Sequence, residues 1–163
     1  MTEDDGKLEE WMYDFAWKGK DAAQDGINIL DNKAMNIINF TSIIIPIITG
    51  ILIFVKGEQT NLNTIIRFFL LGAIVLLIIT IFFAFKVIWV RNHWILPLNE
   101  HFKACGSDNY KDILFNTSKD IAKWQQQLLD LSKTKGKYLK RSSYIFSIAL
   151  FLIFLSAVCI LFL

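Results

Sequence analysis

Three stretches of the chain run without a charged residue: residues 37–55, 68–85 and 145–163, which are 19, 18 and 19 residues long. At a helical rise of ~1.5 Å per residue, each nearly covers the ~30 Å of hydrocarbon in a bilayer. Around them, apolar positions recur every three or four residues. Leu8, Met12, Phe15, Gly19, Ala22, Gly26 and Ile29 share one helical face, and Leu114, Ile121, Trp124, Leu128 and Leu131 mark a second amphipathic helix from about residue 109 to residue 135. Pro97 and the Cys105-Gly106-Ser107-Asp108-Asn109 turn separate that helix from the second apolar run. Gly19 and Gly26 either weaken the first helix or admit a close neighbour, and close packing is the expectation. Gly136 is a candidate kink.

The pattern predicts an all-α integral membrane protein with three transmembrane helices and a cytoplasmic helical bundle. The expected divisions are an acidic helical arm at 1–36, transmembrane helix 1 at 37–55, an outer loop at 56–67, transmembrane helix 2 at 68–90, a basic helical connection at 91–141 and transmembrane helix 3 at 144–163. Composition agrees: of 163 residues 54% are hydrophobic and 14% aromatic, with a mean hydropathy of +0.43, more than a water-soluble chain of this size can bury. The first apolar run follows 36 mostly polar residues and has no small-residue cleavage pattern, so it is not read as a signal peptide.

Charge adds an orientation. Lys and Arg against Asp and Glu number 4 and 9 in residues 1–36, 2 and 1 in 56–67, and 11 and 5 in 86–141. The basic connection is expected to stay in the cytoplasm. The chain then reads as a multi-pass protein of the cell (inner) membrane with a cytoplasmic amino terminus, its acidic arm attracted to the basic connection.

No constellation for catalysis stands out. His93 and His101 are eight apart with Pro97 between them, not the one-turn pair of a helical zinc site, and Cys105 and Cys159 form no CxxC pair. Phosphate loops, GxSxG and HExxH are absent from the sequence. No enzyme activity, metal or cofactor is expected, and duplex nucleic acid is not an expected partner. The tripeptides at Asn39 and Asn116 match a glycosylation pattern, one inside a membrane run and the other on the cytoplasmic side.

Polarity inside the first run is the feature with functional content. Asn32, Asn36 and Asn39 line up with Ile43, Pro46, Ile47 and Gly50 in one sector, flanked by Ser42 and Thr49. An unpaired amide in hydrocarbon costs several kcal/mol. The stripe therefore faces other helices, as packing glue, or lines a wet pore with Ile43 or Ile47 as an apolar constriction. Three spans per chain cannot enclose a channel, so the pore reading requires a homo-oligomer. Lys86, Trp89, Arg91, His93 and Trp94 read as an interface belt. Lys133, Lys135, Lys137, Lys140 and Arg141 precede the last run and are placed to bind lipid headgroups or the phosphates of a nucleotide.

Two short segments carry a family resemblance. Leu30-Asp31-Asn32-Lys33-Ala34 resembles the "D-x-K-A" lead-in to the first span of small prokaryotic antiviral membrane effectors, the SLATT and Pycsar transmembrane families; Asp31, Lys33 and Ala34 carry the match. The stretch from Lys135 to Phe146 resembles the Lys-x-x-x-Leu-Arg opening of their last hydrophobic segment, through Lys137, Leu139, Lys140 and Arg141. The resemblance implies a homo-oligomeric effector, with a tetramer favoured, that permeabilises or depolarises the membrane of an infected cell. It also implies a nucleotide second messenger or oligonucleotide made by a partner nucleotidyltransferase or cyclase, sensed directly or through a partner. The alternative class is a noncatalytic membrane scaffold or accessory subunit.

Overall fold

The computed structural model describes residues 7–55, 61–90 and 110–161. Every element among them is an α-helix: α1 (Lys7–Val55), α2 (Asn61–Trp89) and α3 (Tyr110–Leu161). All three are long and apolar enough to cross a membrane. Helices α1 and α3 each join an amphipathic segment to an apolar run without a break. Gly136 lies inside α3, and Pro46 inside α1. Pro97, the His93 and His101 pair, Arg91, Trp94 and the Cys105–Asn109 turn fall outside the described residues, as do residues 56–60 of the expected outer loop, whereas residues 61–67, also expected in that loop, form the start of α2.

The helices fold into two compact units, one of Met1–Ile29 with Arg91–Thr134 and one of Leu30–Val90 with Lys135–Leu163. In the second unit the buried positions follow a seven-residue spacing. They are Ala34, Thr41 and Ile48 on α1; Ile66, Ala73, Thr80 and Val87 with Leu70, Leu77 and Ala84 on α2; and Lys135, Ser142, Ala149 and Ser156 on α3, with Leu139 buried beside this last row. This spacing keeps one seam of a helix turned toward its neighbours. Helix α2 carries two such rows four residues apart, which lie side by side and make one broad buried face.

Small residues dominate the seam because lipid tails are as apolar as leucine, so burial alone does not drive association; close backbone approach and hydrogen bonds must. Thr41, Thr80 and Ser156 return their hydroxyl protons to carbonyls four residues back, at 2.7–2.9 Å. Ser142 instead donates across the seam to the Thr80 carbonyl at 3.0 Å. Larger side chains fill the far end, where Ile48, Ile66, Leu70, Leu77 and Ala149 cluster.

A charged contact enters this seam. Lys135 is 1% exposed, and its ammonium donates to Asp31 Oδ1 at 2.5 Å. Asp31 keeps 32% side-chain exposure, so one end of the pair is dry and the other reaches solvent. Attraction within such a pair roughly offsets its desolvation, whereas removing one partner strands the other charge. The contact therefore fixes which residues of α1 and α3 face each other.

In the first unit, Ala23, Ile27 and Leu128 form the core, with Trp124 and Leu131 against it. Ile121 and Ala16 are also buried. The expected face of α3 is thus the packed one, but the expected face of α1 requires correction. Leu8, Phe15 and Ile29 are 62%, 65% and 54% exposed, and the packed edge runs instead through Ala16, Ala23 and Ile27. Alanines let α3 approach closely, and the bulky side chains are left outside. At Gly19 a Cβ would lie 2.7 Å from the amide end of the Gln125 side chain, so the glycine leaves room for that side chain. At Gly26 a Cβ would have nothing within 4 Å.

Replacing Asp31 with Asn is expected to destabilise the folded protein in detergent by roughly 3 kcal/mol, the lower end for breaking a buried pair because Asp31 is partly solvated. The double change Asp31→Leu with Lys135→Met should recover most of that loss, as read by thermal unfolding; equal losses in the single and double variants would remove the ion pair from this role. Gly26→Ala should raise stability by about 1 kcal/mol through helix propensity alone. A decrease would show that another chain approaches Gly26.

Candidate functional site: an outward polar stripe and a basic groove

The polar residues of α1 lie on the side opposite its seam. Asn32, Asn36, Asn39, Ile43, Pro46, Ile47 and Gly50 are all exposed in the protomer, as are Ser42 and Thr49. Ile43 and Ile47 are 62% and 58% exposed. The structure thus brings every sequence-derived stripe residue onto one surface and gives none of them to packing within the chain. Ser42 and Thr49 hydroxyls donate to the Ile38 and Ile45 carbonyls at 2.8 Å, which satisfies them locally. Pro46 has the opposite effect. It lacks the N–H that would pair with the Ser42 carbonyl four residues back, so a backbone acceptor is freed on this outward face.

The basic cluster divides into three kinds of side chain. Lys133 donates to Asp130 at 3.1 Å on the surface. The Lys133 hydrogen bond, and then its charge, hold the Asp130 carboxyl below the usual range. Lys135 turns inward to Asp31. Lys137, Lys140 and Arg141 are exposed and, with Phe83, Tyr144 and Ile145, line an open groove of about 370 Å³. Sequence grouped these five by proximity, but a helix distributes neighbours around its axis. Lys135 belongs to the seven-residue series through Ser142 and Ala149, and that register was the available signal for its burial.

The family-motif residues separate in the same way. Ala34 is fully buried, in a cluster with Ala84, Val87 and Leu139; Asp31 holds Lys135; Lys33 is exposed. A small residue at 34 admits α2, and an acid at 31 meets the buried lysine. Phe83 and Phe82, which sequence reasoning passed over, help form an aromatic-cationic belt beside the groove. Phe83 stacks on Tyr138 at 6.5 Å, and the Lys86 ammonium lies 4.9 Å from the Phe82 ring and 5.7 Å from the Tyr138 ring.

Against known proteins, residues 15–163 match the family described as the Pycsar effector protein domain. No curated protein matches the chain, and neither does any solved structure. The match runs from the amphipathic part of α1 through the last span, so it takes in the Lys135–Asp31 pair, the outward stripe and the basic groove together. The chain therefore belongs to the Pycsar transmembrane effector family, and it is a membrane effector of antiviral defence.

Proposed function

We propose that the protein assembles as a homo-oligomer around the outward stripe of α1 to form an ion-conducting pore, which a cyclic nucleotide signal controls and which depolarises the membrane of an infected cell. The observation that carries this reading is that the whole set from Asn32 to Gly50 is exposed in the protomer. Three amides and the freed Ser42 carbonyl need water or polar partners, which hydrocarbon does not supply. A central axis lined by copies of α1 supplies both, with asparagines at the mouth and Ile43 and Ile47 at a constriction that closes by dewetting. Exposed Leu8, Trp11 and Phe15 support assembly independently, because they form an apolar stripe outside the membrane runs. Four subunits are the number favoured by family resemblance.

Membership of the family supports control by a cyclic nucleotide. A nucleotide biases the pore only through a difference in affinity between its closed and open states, whether it binds this chain or a partner that docks on it. In the proposed orientation the basic segment 86–141 and the amino terminus are cytoplasmic, and residues 56–67 face outward across the inner membrane.

Purified protein in liposomes is expected to conduct ions, with a flux that changes when cyclic nucleotide, or the nucleotide with its partner, is added. In the double variant Asn36→Leu with Asn39→Leu, oligomers should persist in detergent while flux is lost. Normal flux in that variant would remove the stripe from the conduction path, and dispersed protomers would assign the amides to packing.

The orientation has its own readout. A cysteine at Gln59 should react with a membrane-impermeant maleimide in intact cells, and Cys105 should react only after lysis. Reversed labelling would invert the topology.

A further inference from the structure

The groove beside α2 and α3 has a character that the pore does not use. Its floor is Phe83 and Ile145, each within an uncharged run, and its rim is Lys137, Lys140 and Arg141. Unlike Lys133 and Lys135, these three cations are paired with no carboxylate among the described residues. The rim precedes the apolar run that begins at residue 145 by four to eight positions, and Lys86 closes the apolar run of α2 at the same cluster of aromatics. That combination places cations at headgroup depth above an apolar wall.

We propose that each protomer binds one anionic phospholipid in this groove, with the phosphate on Lys137, Lys140 and Arg141 and an acyl chain against Phe83 and Ile145. A phosphate of a free nucleotide would meet the same cations, but the rest of a nucleotide would not be recognised. A base is read by paired donors and acceptors, and among the lining side chains the Tyr144 hydroxyl is the sole acceptor. An acyl chain, by contrast, needs only the apolar wall that is present. Arg141 can grip a phosphate through two parallel N–H donors, while the lysines act as point charges. The proposal rests on the membrane reading of the chain and not on conduction.

The test uses the full chain in nanodiscs of phosphatidylcholine containing a minor fraction of phosphatidylglycerol. Lipid retained through detergent exchange is counted by mass spectrometry of the intact protein. About one phosphatidylglycerol per protomer is expected, with retention at least tenfold weaker in Lys137→Gln/Lys140→Gln/Arg141→Gln, given the strength of charge-assisted contacts. The control Lys18→Gln/Lys119→Gln/Lys123→Gln removes the same charge from exposed positions elsewhere and should retain lipid normally. Equal retention in wild type and the groove variant, or equal loss in the control, would overturn the site.

A second arm needs no variant. Millimolar glycerol phosphate, cyclic nucleotide or inorganic phosphate should leave the lipid bound to wild-type protein. Displacement by the nucleotide would overturn the lipid assignment and make the groove a nucleotide site. Ion flux is not read in either arm, so failure here is distinguishable from failure of the pore.

Discussion

Helices in hydrocarbon gain little from hiding leucines, and this constraint governs the membrane unit. What holds α1, α2 and α3 together is a seam narrow enough for their backbones to approach, built from Ala34, Thr41, Ala73, Thr80, Ala84, Ser142, Ala149 and Ser156. The Ser142 bond to Thr80 adds a directional contact across it, a kind worth about 0.6 kcal/mol on average in membranes. A seam of near-identical small residues slides easily, because each seven-residue step offers a similar surface. Lys135 removes that degeneracy. Displaced by one repeat, its ammonium would lose Asp31 and lie among alanines and serines, so the pair contributes register more than it contributes net stability.

The burial pattern and the outward pattern on α1 are two halves of one sequence. Ala34, Thr41 and Ile48 face in; Asn36, Asn39, Ile43, Pro46 and Gly50 face out. Polar groups occur on both sides, but with different satisfaction. The inward Thr41 hydroxyl is bonded within its own turn, whereas the outward amides and the carbonyl freed by Pro46 are turned away from the protomer. A helix of this kind is complete on one face only.

The three spans were legible because exclusion of charge over 18 or more residues has few alternative explanations. The packed face of α3 was legible too, since large apolar residues at Ile121, Trp124 and Leu128 coincide with the contact. On α1 the same logic chose the wrong edge. Periodicity weighs Leu8 and Phe15 above Ala16 and Ala23, yet close approach selects the smaller side chains, and only the seven-residue spacing of Ala16 and Ala23 carried that preference. The stripe from Asn32 to Gly50 was legible as a sector, because helical winding alone sets it; its outward orientation was not, because that depends on which other edge α2 and α3 cover. Among the basic residues, spacing could not distinguish a lysine turned to Asp31 from three turned to a groove.

A consequence follows from the way functions are distributed around these helices. The register contact uses Asp31 and Lys135, the polar stripe uses a different sector of α1, and the basic groove uses α2 and the exposed side of α3. Lys135 and Lys137 are only two residues apart, yet about 200° of helical rotation separates them, so one is sealed in the seam while the other lines the groove. A substitution on one surface therefore leaves the side chains of the other two in place, and the ion pair, the polar stripe and the basic groove can be altered independently. The coupling that an effector requires must then pass through the helices themselves, in the relative positions that the seam permits. Small side chains suit that demand, since they hold helices close while interlocking less than leucines would, and the Lys135–Asp31 pair limits how far the register can move.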